Sequence, residues 1–300
     1  MENSNQPNYP KDKLLSGTKE LPRVLYTPES QMRRPVLLLR LMWRDLLASR
    51  ELAWRLLIRD ISAQYRQSLL GIVWAFLPPI VSAIGLTFAK NSGFINLGDT
   101  DLPYPAYVMF SMTLWQTFIG TLNGPIAAVL QAKPMLVRVN FPREALIIAK
   151  LGEVFFNFGI RLILIIGLFI VFRMPLTLSV ILAPVALIHL IALGTFIGLL
   201  LAPLGGLYRD IQKGITLTTG LWLFITPVIY PPPTEGIFGL IVKLNPVTPL
   251  LVTTRELATT GVVSNPSGFW IASSIAIFGL LASWIFYRLS MPFVTERMSS

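Results

Sequence analysis

Glu153, Asn157 and Arg161 stand four and four residues apart, so on a helix they share one face over about 12 Å. Ionisable groups in an apolar stretch are costly in a bilayer unless they meet a partner or a wet cavity. Glu153 and Arg161 are too far apart for direct contact, so Asn157, water or another helix must bridge them. The stripe fits two roles, glue between helices and the lining of a conduit. His189, the single histidine, lies in a long apolar run, where it suits a packing residue or a lone base. Asp210 is on another segment. No GxxxxGK[ST], GxGxxG, HExxH or GxSxG pattern occurs, so no nucleotide-binding loop or hydrolytic signature is present. The chain has no cysteine, which removes disulfides and thiolate metal sites. One histidine and 15 scattered carboxylates leave little for hydrolytic metal chemistry.

The elements that must carry these residues follow from composition. Hydrophobic residues make up 53% of the 300, charged residues only 13%, and the mean hydropathy is +0.64. A soluble domain carries about 25% charged residues to cover its surface, and disorder needs low hydrophobicity. An all-α polytopic membrane protein remains. Apolar stretches long enough to cross a bilayer predict six transmembrane helices, at about 69–90, 106–131, 146–172, 178–205, 213–230 and 268–288, within a domain over 67–290. Residues 1–35 are expected to form a polar cytoplasmic tail with no secretory signal peptide, and 291–300 a second cytoplasmic tail. Twenty of the 25 Lys and Arg residues fall on one side of this arrangement. The positive-inside rule then puts both termini in the cytoplasm of a multi-pass protein of the cytoplasmic (inner) membrane. That asymmetry accounts for the net charge of +10 without nucleic-acid binding.

Three segments are not simple spans. Over 36–66, Trp43, Leu47, Trp54, Ile58, Ile61 and Tyr65 recur at helical spacing among Arg40, Arg44, Arg55 and Arg59. This is the pattern of an amphipathic interfacial helix in contact with membrane lipids, its arginines reaching phosphates. Ser49-Arg50-Glu51 interrupts it, which allows two helices or a kink; a passive anchor and a moving gate both fit. The loop 131–145 sets Met135, Leu136, Val137 and Phe141 among Lys133, Arg138 and Arg143. Apolar groups rimmed by charge suggest a docking surface, although a loop packed on the membrane surface also fits. Residues 231–260 are too broken to span and too apolar for a free loop, so a re-entrant hairpin is expected on the outer side. Trp74, Phe76, Trp115, Phe118 and Trp222 make the spans aromatic; such surfaces pack, anchor in the interface or stack on sugar rings.

"RELAWRLLIRDISAQYRQSLLGIVWAFLPPI" at 50–80 resembles the opening of type-2 ABC exporter permeases for polysaccharides and polyol phosphates, the Wzm, KpsM and TagG-like proteins. "VNFPREAL" at 139–146, "LYRDIQ" at 207–212, "TPVIYP" at 226–231 and "LNPVTPL" at 244–250 continue the resemblance to about residue 290. The long polar tail and the second proline of "LPP" at 77–79 depart from the pattern.

The resemblance implies a type-2 ABC exporter transmembrane fold, working as a homodimer with two copies of a separate nucleotide-binding ATPase. It carries no cofactor in this chain, since ATP and Mg would sit on the partner. It implies export of a lipid-linked glycan of O-antigen, capsular or teichoic-acid type. The amphipathic segment, with Trp43, Trp54, Arg55, Arg59 and Tyr65, would be the gate helix. Lys133, Met135, Leu136, Arg138, Phe141 and Arg143 would couple to the ATPase. Trp74, Phe76, Trp115, Phe118, Glu153, Asn157, Arg161 and Trp222 are the conduit candidates. Two competing classes remain: a membrane enzyme acting on lipid-linked sugars, which would need convergent carboxylates or histidines, and an ATPase-independent channel or carrier, which would need a filter.

Overall fold

A computed structural model describes residues 35–299 apart from 67, 96, 97, 140 and 234. The expected tail before Pro35 lies outside the described residues. The chain divides into two units, 1–41 and 42–300. In the first, residues 35–41 are helical and begin α1 (Pro35–Ala48).

In the second unit, α1 is followed by α2 (Arg50–Arg66). The backbone bonds from Ser49 N to Asp45 O (2.9 Å) and from Ala53 N to Ser49 O (2.8 Å) carry the ladder across the junction. The interruption expected at Ser49 is therefore a boundary between two hydrogen-bonded helices. Next come α3 (Leu77–Asn91), α4 (Tyr104–Gln131), the short α5 (Lys133–Arg138), α6 (Glu144–Val171) and α7 (Ala183–Leu207). They are followed by α8 (Arg209–Trp222), α9 (Gly236–Leu244), α10 (Val247–Ala258) and α11 (Pro266–Ser299). No strand occurs among the described residues.

The core sits where α4 and α7 meet, with α11, α6 and α10 around them. α7 is apolar on every side, as a buried helix is, and its Gly194 and Gly198 let α4 approach. A Cβ at Gly194 would stand 2.8 Å from the Phe118 carbonyl oxygen. α4 buries Thr113 and Thr117, and each hydroxyl donates to the carbonyl four residues back at 2.9 Å. Those internal bonds let a fairly polar helix lie inside an apolar core.

Helix α6, residues 178–207 and α11 are long and apolar enough to cross a membrane. The pair α9 and α10 reaches that length only together and is bent by 83°, the geometry of a broken span or re-entrant loop. The other expected spans differ for identifiable reasons. α4 has the length but is shielded by neighbouring helices rather than by its own apolarity. The 69–90 stretch breaks at Phe76 into a 3₁₀ turn (Gly71–Ala75) and α3, because Pro78 and Pro79 suit only the first turn of a helix. The 213–230 stretch is α8 plus a 3₁₀ turn (Leu223–Ile225). Residues 291–299 are helical, since α11 continues to Ser299 through Pro292.

Candidate functional site

The amphipathic helix and α6 are joined by a polar seam. Lys150, one turn before Glu153, donates to Glu153 Oε2 at 2.8 Å and pairs with Asp60 Oδ2 at 3.0 Å. Arg59 donates to Asp60 Oδ1 from Nε (2.9 Å) and Nη2 (2.8 Å). Further along, Tyr65 Oη donates to Asn157 Oδ1 at 2.7 Å, and Arg161 Nε donates to the Ala75 carbonyl at 3.3 Å. Asn157 and Arg161 thus meet α2 and the following turn directly, as glue between elements would, while Glu153 pairs with Lys150 of its own helix, which in turn reaches Asp60. All three remain half-buried rather than fully enclosed. Burial raises the Asp60 carboxyl's pKa, but the hydrogen bonds and charges of Arg59 and Lys150 outweigh that and leave it below the usual value. On the other side of α1 and α2, Trp43 and Trp54 are 61% and 62% exposed, and Arg55 reaches only Glu51, at 2.6 Å.

Near Glu144 a second cluster forms. Arg288 of α11 donates Nη1 to Glu144 Oε1 at 2.8 Å and Nη2 to Asp45 Oδ2 at 2.6 Å, with all three side chains largely buried. Glu144 opens α6 directly after the 131–145 segment.

Within that segment α5 shows two faces. Leu136 is only 6% exposed, in the core, with Met135 and Phe141 half-buried against it. Lys133, Val137, Arg138 and Val139 are exposed, whereas Arg143 is half-buried. Leu136 fixes α5 to the protein, and Val137 and Val139 are the apolar groups presented outward.

Three of the five aromatic candidates meet in the core, and two do not. Phe118 is fully buried, 5.4 Å from Trp115 and 5.5 Å from Trp222 between ring centroids, in the core. Trp74 is exposed elsewhere, and Phe76 is half-buried. Core packing and lipid contact select the same side chains, so the sequence could not separate them. His189 hydrogen-bonds the Val185 carbonyl through Nδ1 at 2.7 Å and lies edge-on to Phe269.

Residues 51–259 match the family described as ABC-2 type transporter, more than half of the chain. The chain belongs to the ABC-2 type transporter family. It is similar to the O-antigen export system permease protein RfbA of Myxococcus xanthus, 27% identical over 221 residues, 71% of this chain and 82% of the relative. It is also similar to the protein of that name from Klebsiella pneumoniae, 24% identical over 217 residues, 69% and 79% of the two chains. As an ABC-2 permease it is a multi-pass membrane transport subunit that works with a separate nucleotide-binding ATPase.

Two locks in this ABC-2 chain escaped the sequence reading. Arg255 is buried, donating to Ser111 Oγ at 2.7 Å with its guanidinium 4.0 Å from the Tyr107 ring centroid. Asn245 accepts from Trp222 Nε1 (3.1 Å) and Val247 N (3.1 Å) and donates to Thr226 Oγ1 (2.9 Å) and the Ile225 carbonyl (3.2 Å), which fixes the α9–α10 bend to the end of α8. The "LNPVTPL" string contains Asn245, whereas Arg255 lies outside the strings that carry the resemblance.

Proposed function

We propose that the chain is the permease subunit of an ATP-driven exporter that moves a lipid-linked polysaccharide across the cytoplasmic (inner) membrane. The glycan would be of O-antigen, capsular or teichoic-acid type. The single observation that carries this reading is the similarity to O-antigen export permeases along more than two thirds of both chains. In this account the permease is a homodimer with six spans per protomer. Two ATPase copies bind ATP and Mg and dock at the exposed face of α5. The amphipathic helix acts as the gate. The termini and 131–145 face the cytoplasm and 231–260 faces out, in line with the charge asymmetry. Affinity-purified chain should bring down a Walker-motif ATPase in equal amount, and its isolation without one, under conditions that keep it folded, would contradict the reading.

A further inference from the structure

The structure assigns to Arg288 the role of a positioning residue that ties the amphipathic helix to the segment 131–145, so that displacement of that segment is delivered to the helix. The inference rests on the docking reading above and adds the route by which force leaves the docked segment.

Its basis is one guanidinium shared by two carboxylates on different elements. Arg288 spans Asp45 at 2.6 Å and Glu144 at 2.8 Å with the two arms of its fork. A planar guanidinium can hold two oxygens at once, which an ammonium point charge does less well. The side chains of Arg288, Asp45 and Glu144 are 11%, 18% and 8% exposed, so little water screens them. Asp45 has a second cation, Arg44, at 3.8 Å, but that side chain is 69% exposed.

The three residues sit at mechanical junctions. Glu144 is the first residue of α6, immediately after the segment that carries α5. α11, which bears Arg288, also packs directly against α5. Asp45 belongs to α1, and its carbonyl accepts from both Ser49 N (2.9 Å) and Ser49 Oγ (2.7 Å), at the junction that leads into α2. The far end of α2 is held separately, by Lys150 and Asn157 on α6. The amphipathic helix is therefore held by charged or polar contacts at two points. Displacing Glu144 pulls the guanidinium, and the guanidinium pulls Asp45, because leaving either carboxylate unpaired in these surroundings is costly. With Arg288 neutral, the tie from Asp45 to Glu144 is lost, while the α2 seam and the buried Ala53 and Leu56 of α2 remain.

The test uses the permease–ATPase complex and the absence of native cysteines. Spin labels on cysteines at exposed Val137 and Leu47 are each paired with one at exposed Ile237. Distances are measured without nucleotide and after trapping with ATP, Mg and vanadate. In the otherwise unmodified chain both distances should change. In Arg288→Gln the Val137 change should persist while the Leu47 change falls by at least half, and Arg288→Lys should restore part of it. The charge-free combination Asp45→Asn, Glu144→Gln, Arg288→Gln keeps shape and removes any buried unpaired charge. It should lose the Leu47 change as well, and it decides the question if Arg288→Gln does not fold. A full Leu47 change in these variants overturns the assignment, as does a Leu47 distance that never responds while Val137 does. If Val137 itself is unresponsive in the unmodified complex, the docking reading fails and this inference falls with it.

Discussion

Tyr65 donates its hydroxyl hydrogen to the side-chain oxygen of Asn157 at 2.7 Å, across 92 positions of sequence. This bond fastens the last turn of the amphipathic helix to the middle of α6 and gives a polar residue within an apolar helix its partner.

Tyr65→Phe removes that bond and keeps the edge-on contact with Phe156, whose ring centroid is 6.1 Å away. The loss should be about 1 kcal/mol, the net worth of a neutral hydrogen bond. Thermal unfolding of the purified protein would show a drop of about 2–4 °C. An unchanged midpoint would mean that the bond contributes nothing to holding the helix.

Asp60 makes the seam sensitive to acid. Its folded-state pKa is lowered, so its contribution is complete above the ordinary carboxylate range, near pH 4, and is lost as pH falls through the folded value. The unfolding midpoint should therefore decline more steeply below about pH 4 in the wild type than in Asp60→Asn. Parallel curves would count against the seam. Lys150→Met, which strips both Asp60 and Glu153 of a partner, should cost up to about 3 kcal/mol at neutral pH.

The two faces of α5 separate stability from docking. Leu136→Asp puts a charge into the core and should impair folding, whereas Val137→Asp and Lys133→Glu alter exposed positions and should leave the unfolding midpoint within about 1 °C. Only the latter pair should lose the ATPase on purification while remaining folded. Retention of the ATPase by a folded Val137→Asp, Lys133→Glu protein would place the docking surface elsewhere.

The α4–α7 contact depends on missing side chains. Gly198→Ala would push a methyl against the Leu122 carbonyl and the Pro125 ring, and Gly194→Ala against the Phe118 carbonyl. Each should destabilise by about 1–3 kcal/mol through overpacking. Gly159→Ala, with open space around it, should be neutral or slightly stabilising by helix propensity. Equal effects at all three would contradict the packing described.

Composition and apolar run length made the helical membrane class legible, and the spacing of Glu153, Asn157 and Arg161 put them on one face of α6. The face opposite could not be read, because spacing along a helix says nothing of a partner 92 residues away. The Arg288 cluster was hidden for the same reason: Asp45 and Glu144 stood as isolated charges on separate segments. The burial of Leu136 was not legible because a six-residue helix carries too few turns to show its phase. Trp115 and Phe118 were ambiguous because an apolar ring suits lipid, core and conduit alike. The broken spans were partly legible, since Pro78 and Pro79 announce a helix start that an apolar-run count ignores.

Surface glycan in cells depleted of this chain tests the central claim most directly. Depletion should remove the glycan from the cell surface while its lipid-linked form accumulates inside. Wild-type chain should restore export, and the folded Val137→Asp, Lys133→Glu variant should not. Surface glycan that persists at normal level after depletion, with no lipid-linked intermediate building up, would contradict the exporter account.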